Sequence, residues 1–441
     1  MTTATTLRDA DLAHAFHPQT NLAAHANASP FVIARGDGIW LEDDKGARYL
    51  DAMAGLWCAG LGYSETRLAE AARRQLDALP YGHSFAGRAH EPGIRLAEEL
   101  AAILPDGLSR IFFASSGSEA NDTAVKLAWY HWVARGEETR TTILARRRAY
   151  HGVTIASASL TGLPMMHGGF HLPRPFVHHL TAPHHVQQAL EGETEAQFTA
   201  RLAAELEETI EQLGAETIAA FIAEPVIGAG GVILPPEGYF AAIQPILRHH
   251  GILLIVDEVI TGFGRLGCLW GSQHYGIRPD ILTCAKMLTS GYQPLSAVCV
   301  SDEVYDPIAA ESGRRGGFGH GFTYSGHPVA CAVAREVLAI YAERDILGHV
   351  ATVAPQFQRR LAQLGQNPRV RQARGLGLIG GLEMREGPDA ARLEAAARAQ
   401  GLLVRAVGGD TVALCPPLIV QESEIGLLFD RLACALAALE G

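Results

Sequence analysis

The chain has 441 residues, 48% of them hydrophobic, and a formal net charge of -11 at pH 7. That length suits two or three structural domains around a large core, the negative balance argues against general nucleic-acid affinity, and the apolar residues come in runs too short to span a membrane. Met1 to Asp9 lack a basic segment followed by an apolar core, so no signal peptide is expected, and the scattered Cys58, Cys268, Cys284, Cys299, Cys331, Cys415 and Cys434, without CxxC spacing, read as reduced thiols of a cytoplasmic protein.

In chain order, Ile39-Trp40-Leu41-Glu42-Asp43-Asp44-Lys45-Gly46-Ala47-Arg48-Tyr49-Leu50 reads as a hairpin turning at 43–46. Apolar runs follow at 111–114, 141–145, 218–223, 252–256, 281–284 and 295–300, and mostly alternate with helical stretches at 120–135, 198–213 and 238–250. A mixed or parallel sheet covered by helices on both faces has this pattern. Arg146, Arg147 and Arg148 read as a solvated strand end. The histidine pairs at 178/179, 184/185 and 249/250 read as loop and surface residues, because adjacent residues on one element do not face the same ion; no metal site is expected. After His327-Pro328 a helix runs to about residue 342, and a small α+β segment closes the chain.

Two of the runs end on reactive groups: Asp257 and Glu258 follow one, Ala285 and Lys286 the other. As parallel strands they place a carboxylate and an amine side by side outside the carboxyl ends of the sheet, where open α/β sheets bind ligands. A lysine there can form a Schiff base with a carbonyl cofactor, and an aspartate can keep a pyridinium nitrogen protonated. Phosphate needs free N–H groups at a helix N-terminus, and residues 111–120 read as strand, turn and helix start, with Ser116 and Glu119 at capping-box spacing. Ala124, Leu127 and Ala128 then form a buried helical face.

A nicotinamide oxidoreductase is the competing reading, because Gly262-Phe263-Gly264-Arg265-Leu266-Gly267 matches GxGxxG after a strand, with Asp280 downstream. A dinucleotide fold needs a helix starting inside that motif. Gly271, Gly276 and Pro279 make residues 268–280 a poor helix, and the second match, Gly375 to Gly380, has no clear strand before it.

Taken together, Ser116-Gly117-Ser118-Glu119-Ala120-Asn121, Tyr150-His151-Gly152, Asp257-Glu258-Val259 with Gly262-Phe263-Gly264-Arg265, Ala285-Lys286, and Gly321-Phe322-Thr323-Tyr324-Ser325-Gly326-His327-Pro328 resemble, in order, the motifs of the class III aminotransferases. These are pyridoxal phosphate enzymes of fold type I. The resemblance covers nearly the whole chain and implies an α/β fold. In it, a large domain with a mostly parallel seven-stranded sheet, 71–327, stands beside a smaller α+β domain formed by both chain ends, 1–70 and 328–441. It implies that Lys286 is the Schiff-base lysine and Asp257 the partner of the pyridine nitrogen, with Tyr150 and Val259 on opposite ring faces. Ser116, Gly117, Ser118 and His151 fall in the cofactor motifs. Thr323 is implied to reach the phosphate of a neighbouring subunit, hence a homodimer with composite sites, alone or paired into a tetramer.

For the substrate, Trp57 and Phe85 fall where amine transaminases build an aromatic-walled pocket, and residues 402–408 resemble the segment bearing a mobile arginine, here Arg405. Arg88 is the alternative carboxylate binder. Ala229 stands where relatives acting on 4-aminobutyrate or ornithine carry a glutamate that pairs with the arginine, so Arg405 is expected to lack such a partner. The chain therefore resembles most the ω-amino acid or amine:pyruvate transaminases. Aminomutase, decarboxylase and 4-aminobutyrate or diamine transaminase readings share the apparatus and remain open, as does the natural donor among β-alanine, diamines and arylalkylamines.

Overall fold

The computed structural model describes residues 6–27 and 30–439. Met1 to Thr5, on which the signal-peptide expectation partly rests, lie outside the described residues. The chain first forms an antiparallel meander, β1 (Ile33–Asp37), β2 (Trp40–Asp43) and β3 (Arg48–Asp51). The tight turn of the expected hairpin is set by Asp43, whose Oδ1 accepts from the N–H groups of Lys45 at 3.0 Å and Ala47 at 2.8 Å.

Seven strands make the large sheet: β4 (Leu108–Ala114), β5 (Thr142–Arg146), β6 (Val177–Leu180), β7 (Ile218–Ala223), β8 (Leu253–Asp257), β9 (Ile281–Cys284) and β10 (Ser296–Ser301). Their order is β4-β10-β9-β8-β7-β5-β6, with β10 antiparallel to both neighbours and the other pairs parallel. Strands β7, β8 and β9 are buried at every position, which is why they read as unbroken apolar runs. Alternate side chains serve opposite layers. Ile143, Ile222 and Ile255 pack with Ala120, Ala124 and Ala128 of the helix Gly117–Ala134, while Leu144, Phe221 and Leu254 pack with Phe198, Leu202 and Leu206 of the helix Glu195–Leu213 and with Phe240 and Ile243 of the helix Tyr239–His249. Strand β6 escapes a sequence reading because its four residues, Val177-His178-His179-Leu180, contain no apolar run.

The C-terminal part adds β11 (Val370–Leu376), β12 (Ile379–Met384), β13 (Leu402–Leu403), β14 (Arg405–Val407) and β15 (Thr411–Leu414). Four of these form a sheet in the order β11-β12-β15-β14, while β13 pairs parallel with β3, Leu402 against Leu50, so strands from both chain ends share one sheet. The second glycine motif straddles the β11–β12 turn. A strand does precede it, contrary to expectation, but another strand follows, and the φ of +58° at Gly377 serves that turn. After the first motif the chain makes only the four-residue helix Gly271–His274, so neither match builds a dinucleotide site. No helix of the described residues is long and apolar enough to cross a membrane.

Candidate active site

Because β8 and β9 are adjacent and parallel, Asp257 pairs in register with Thr283, three residues before Lys286. Asp257 is 4% exposed and its carboxylate is held by named donors. Oδ1 accepts from the N–H of Val259 at 3.0 Å; Oδ2 accepts from Asn121 Nδ2 at 2.7 Å and contacts His151 Nδ1 at 2.8 Å. Asn121 is itself oriented, donating to the His151 carbonyl at 2.7 Å and accepting from Thr283 Oγ1 at 2.9 Å. Three partners fill three of the roughly four acceptor positions of a carboxylate. The fourth can take a ring N–H from the cavity.

Lys286 follows β9 with φ of +46°, a left-handed conformation that costs a non-glycine residue about 1–3 kcal/mol. Its Nζ lies 5.8 Å from the Trp57 ring centroid and makes no hydrogen bond among the described residues. Burial pushes the Lys286 pKa down, and the charges of Cys58, Asp257 and Glu224 offset that only in part. A depressed lysine pKa favours the neutral, nucleophilic amine.

Ser116 caps the helix Gly117–Ala134, its hydroxyl accepting from the N–H of Glu119 at 3.2 Å. Glu119 closes the turn one residue earlier than a capping box predicts, its Oε2 accepting from the N–H of Ser115 at 2.7 Å. Gly117 and Ser118 occupy the first two helical positions, so their N–H groups have no partner within the helix, and both line the cavity. A Cβ on Gly117 would lie 3.1 Å from Val259 Cγ1; glycine there keeps the approach to the positive helix end open. Anion site, carboxylate and amine converge in one cavity of about 660 Å³, lined also by Tyr150, His151, Val259, Trp57, Ala229 and Arg405. This donor set fits pyridoxal phosphate: phosphate at the helix end, ring nitrogen at Asp257, carbonyl at Lys286.

The class-III aminotransferase model matches residues 22–436. The chain belongs to this family. It is 48% identical over 423 residues to gamma-aminobutyrate transaminase 1, mitochondrial, of Oryza sativa subsp. indica, covering 93% of this chain and 82% of that protein. A solved omega transaminase from Pseudomonas jessenii in complex with PMP superposes with a TM-score of 0.97 at 45% identity, covering 98% of both chains. A transaminase solved with L-Ala gives a TM-score of 0.91 at 48% identity, covering 93% of this chain and 99% of that one. The protein is a pyridoxal phosphate-dependent aminotransferase.

Within this aminotransferase the structure brings together Trp57, Gly117, Ser118, Tyr150, His151, Ala229, Asp257, Val259, Lys286 and Arg405. Ser116 stands just outside, engaged in capping. Phe85 and Thr323 do not reach the cavity of their own chain. Phe85 is 45% exposed against the Gly321 backbone, and Thr323 is exposed with its carbonyl accepting from Tyr81 Oη at 2.9 Å. Arg88 is also outside, 3.1 Å from His83 Nε2. Phe85 instead lies beside His83, their ring centroids 6.0 Å apart.

Several residues were misread or missed. Arg146 is fully buried and donates to the Glu224 carbonyl at 2.6 Å, and Arg148 pairs with Asp410 at 2.9 Å, so of that run only Arg147 is solvated. His184 is no surface residue; it is buried against Glu383 at 2.7 Å. Glu224 holds the Tyr150 N–H at 3.0 Å and the Gly228 N–H at 2.9 Å, tying the ring-facing loop to the loop of Ala229, and burial raises its pKa. Its signal was present in the Glu224-Pro225 that closes an apolar run. Gln19 gave no signal at all. It reaches the cavity from the N-terminal segment, and its Oε1 accepts from Arg405 Nη2 at 3.3 Å, so a neutral amide is the partner of Arg405.

Proposed function

We propose that the protein is an ω-transaminase that moves an amino group from an amine or ω-amino acid to pyruvate, working as a homodimer. The observation that carries this reading is the cation at the substrate end. Arg405 shares the cavity with Lys286, lies 5.7 Å from the Trp57 ring centroid, and forms no ion pair with a carboxylate among the described residues. A planar guanidinium there takes an acceptor carboxylate with two parallel hydrogen bonds. The indole beside it gives an uncharged amine an apolar wall, and Ala229 leaves room near the ring.

When bound, pyridoxal phosphate supplies a carbonyl for the amino group and a ring that accepts an electron pair. The Lys286 amine would hold the cofactor carbonyl in the resting site, and once free it would take a proton from the substrate carbon and give it back, acting as base and then acid. Asp257, fixed by Asn121 and His151, keeps a proton on the ring nitrogen. With pyruvate bound, Lys286 and Asp257 would serve the same roles in the opposite direction, giving alanine. Exposed Phe85 and Thr323, unused by their own cavity, support a composite site in which Thr323 of the partner subunit meets the phosphate.

The 48% identity to a plant gamma-aminobutyrate transaminase favours a second reading, in which 4-aminobutyrate is a donor and Arg405 meets its carboxylate. A donor panel assayed by alanine formation from pyruvate separates the two. Alanine formed from an arylalkylamine without a carboxylate is expected. Turnover confined to 4-aminobutyrate supports the second reading, and turnover with 2-oxoglutarate but not pyruvate overturns the first.

A further inference from the structure

Gln19 lies in the loop between the helices Leu7–His14 and Leu22–His25, with φ of +48°. The base of this loop is clamped. Asp11 accepts from His17 Nε2 at 2.8 Å and from His25 Nε2 at 3.0 Å, one histidine on each side of Gln19, and the two rings lie 4.3 Å apart. Thr20 Oγ1 donates to the Pro18 carbonyl at 2.9 Å, tightening the loop tip. A left-handed non-glycine residue on an otherwise exposed loop persists only where the surroundings hold it. The clamp and the tip bond hold Gln19 at the mouth of the cavity that its side chain lines.

Its Oε1 accepts from Arg405 Nη2 at 3.3 Å, and Tyr150 lines the same cavity. An amide suits Arg405, because its oxygen accepts from the guanidinium while carrying no charge of its own. The bond to Arg405 is long and its acceptor is uncharged. A carboxylate accepts from arginine with roughly twice the strength of a neutral acceptor, so a substrate carboxylate displaces the amide, whereas a carboxylate at position 19 would resist displacement.

We propose that Gln19 is a specificity-determining residue: a neutral latch that keeps Arg405 over Trp57, releases it to a substrate carboxylate, and takes it back when the substrate has none. This rests on the amine:pyruvate reading, since it assigns to one cavity both a carboxylate-bearing and a carboxylate-free substrate. The chemistry selected is a small keto acid in one half-reaction and an uncharged amine in the other.

The test is single-turnover absorbance of the two half-reactions with Gln19→Glu, Gln19→Ala and the pair Gln19→Glu with Arg405→Ala, in holoenzyme whose cofactor absorbance matches that of the wild type. Gln19→Glu should raise the concentration of pyruvate needed for half-maximal rate by about tenfold or more, reflecting competition with a charged internal partner, with a far smaller change in the amine half-reaction. Gln19→Ala should shift pyruvate by only a few-fold, about what the loss of a neutral hydrogen bond gives. On the Arg405→Ala background Gln19→Glu should have no further effect on pyruvate. Equal losses in both half-reactions, or a full Gln19→Glu effect without Arg405, would overturn the latch. If the wild type ignores pyruvate but uses another keto acid, the amine:pyruvate reading fails, and the same split read with that acid still decides on Gln19.

Discussion

At the Asp257 end of the cavity the carboxylate is fixed by bonds of 2.7 to 3.0 Å from Asn121 on a long helix and from His151 and Val259 beside it, mostly buried, whereas at the Arg405 end the guanidinium has one bond of 3.3 Å to an exposed loop residue. The first arrangement suits a group that stays; the second suits substrates that alternate. A carboxylate that must hold a ring proton through every cycle gains from donors that cost no reorganisation. An arginine that meets a carboxylate in one half-cycle and an uncharged amine in the next gains from a partner it can leave.

Changes at the fixed end should therefore cost the most and should not discriminate between substrates. Lys286→Ala removes the only amine in the cavity among the described residues and should abolish turnover with every donor and acceptor; near-normal activity in a verified variant would contradict the assignment. Asp257→Asn keeps the shape but turns an acceptor into a donor facing Asn121 Nδ2 and His151 Nδ1. Losing a preorganised electrostatic partner costs about 10²- to 10³-fold in kcat, and both half-reactions should fall together. A fall confined to one of them would show that Asp257 contacts substrate.

At the adaptable end the losses should be smaller and selective. Arg405→Ala should slow the pyruvate half-reaction by about ten- to a hundredfold, the 1.5–3 kcal/mol of a charged hydrogen-bonded contact, while donors without a carboxylate lose little. Equal losses on both sides would make Arg405 structural. Gly117→Ala returns to the fixed end with a gentler change, placing a methyl 3.1 Å from Val259 Cγ1 and beside the helix N-terminus. Overpacking of this kind costs about 1–3 kcal/mol of folding stability, so the thermal midpoint of the cofactor-free protein should fall by a few degrees, and the dissociation constant for pyridoxal phosphate, read by absorbance titration, should rise because the methyl crowds the helix N-terminus.

The same division explains what the sequence made legible. Asp257, Lys286 and the Gly117–Ser118 turn sit at the ends of buried strands or the start of a long helix, where periodicity and capping leave a local signature. The six apolar runs give six of the seven strands, and β6 was hidden because two histidines occupy half of an edge strand. Arg146 and His184 were misplaced for a common reason: a charged or polar residue reads as solvated unless its partner is known, and Glu224 and Glu383 are distant in sequence. Gln19 lies 386 residues from Arg405, in a loop with no periodicity, so only the fold brings it to the cavity. Phe85 and Thr323 were named from the family resemblance, and the fold places both on exposed surface outside the cavity of their own chain.

The smallest expected effect concerns stability. Burial lowers the pKa of Lys286 from 10.5, with Cys58, Asp257, Glu224 and Cys415 as the charged neighbours that oppose the shift. Between the depressed value and 10.5 the unfolded chain binds a proton that the folded chain does not, so the contribution to stability rises with pH across this window. It is fully present above the ordinary lysine value and is lost as pH falls through the depressed one, where a charged amine must be kept out of water. Lys286→Met keeps the volume and removes the titration. Cofactor-free Lys286→Met should therefore melt above the cofactor-free wild type at pH 7, and the gap should shrink steadily toward pH 10. Loading pyridoxal phosphate ties up the wild-type amine, so the pH dependence of the gap should flatten in the holoenzyme. A gap that does not change with pH in the cofactor-free proteins would mean that the amine stays solvated, and that the contrast between a buried, fixed end and an open, adaptable one does not extend to Lys286.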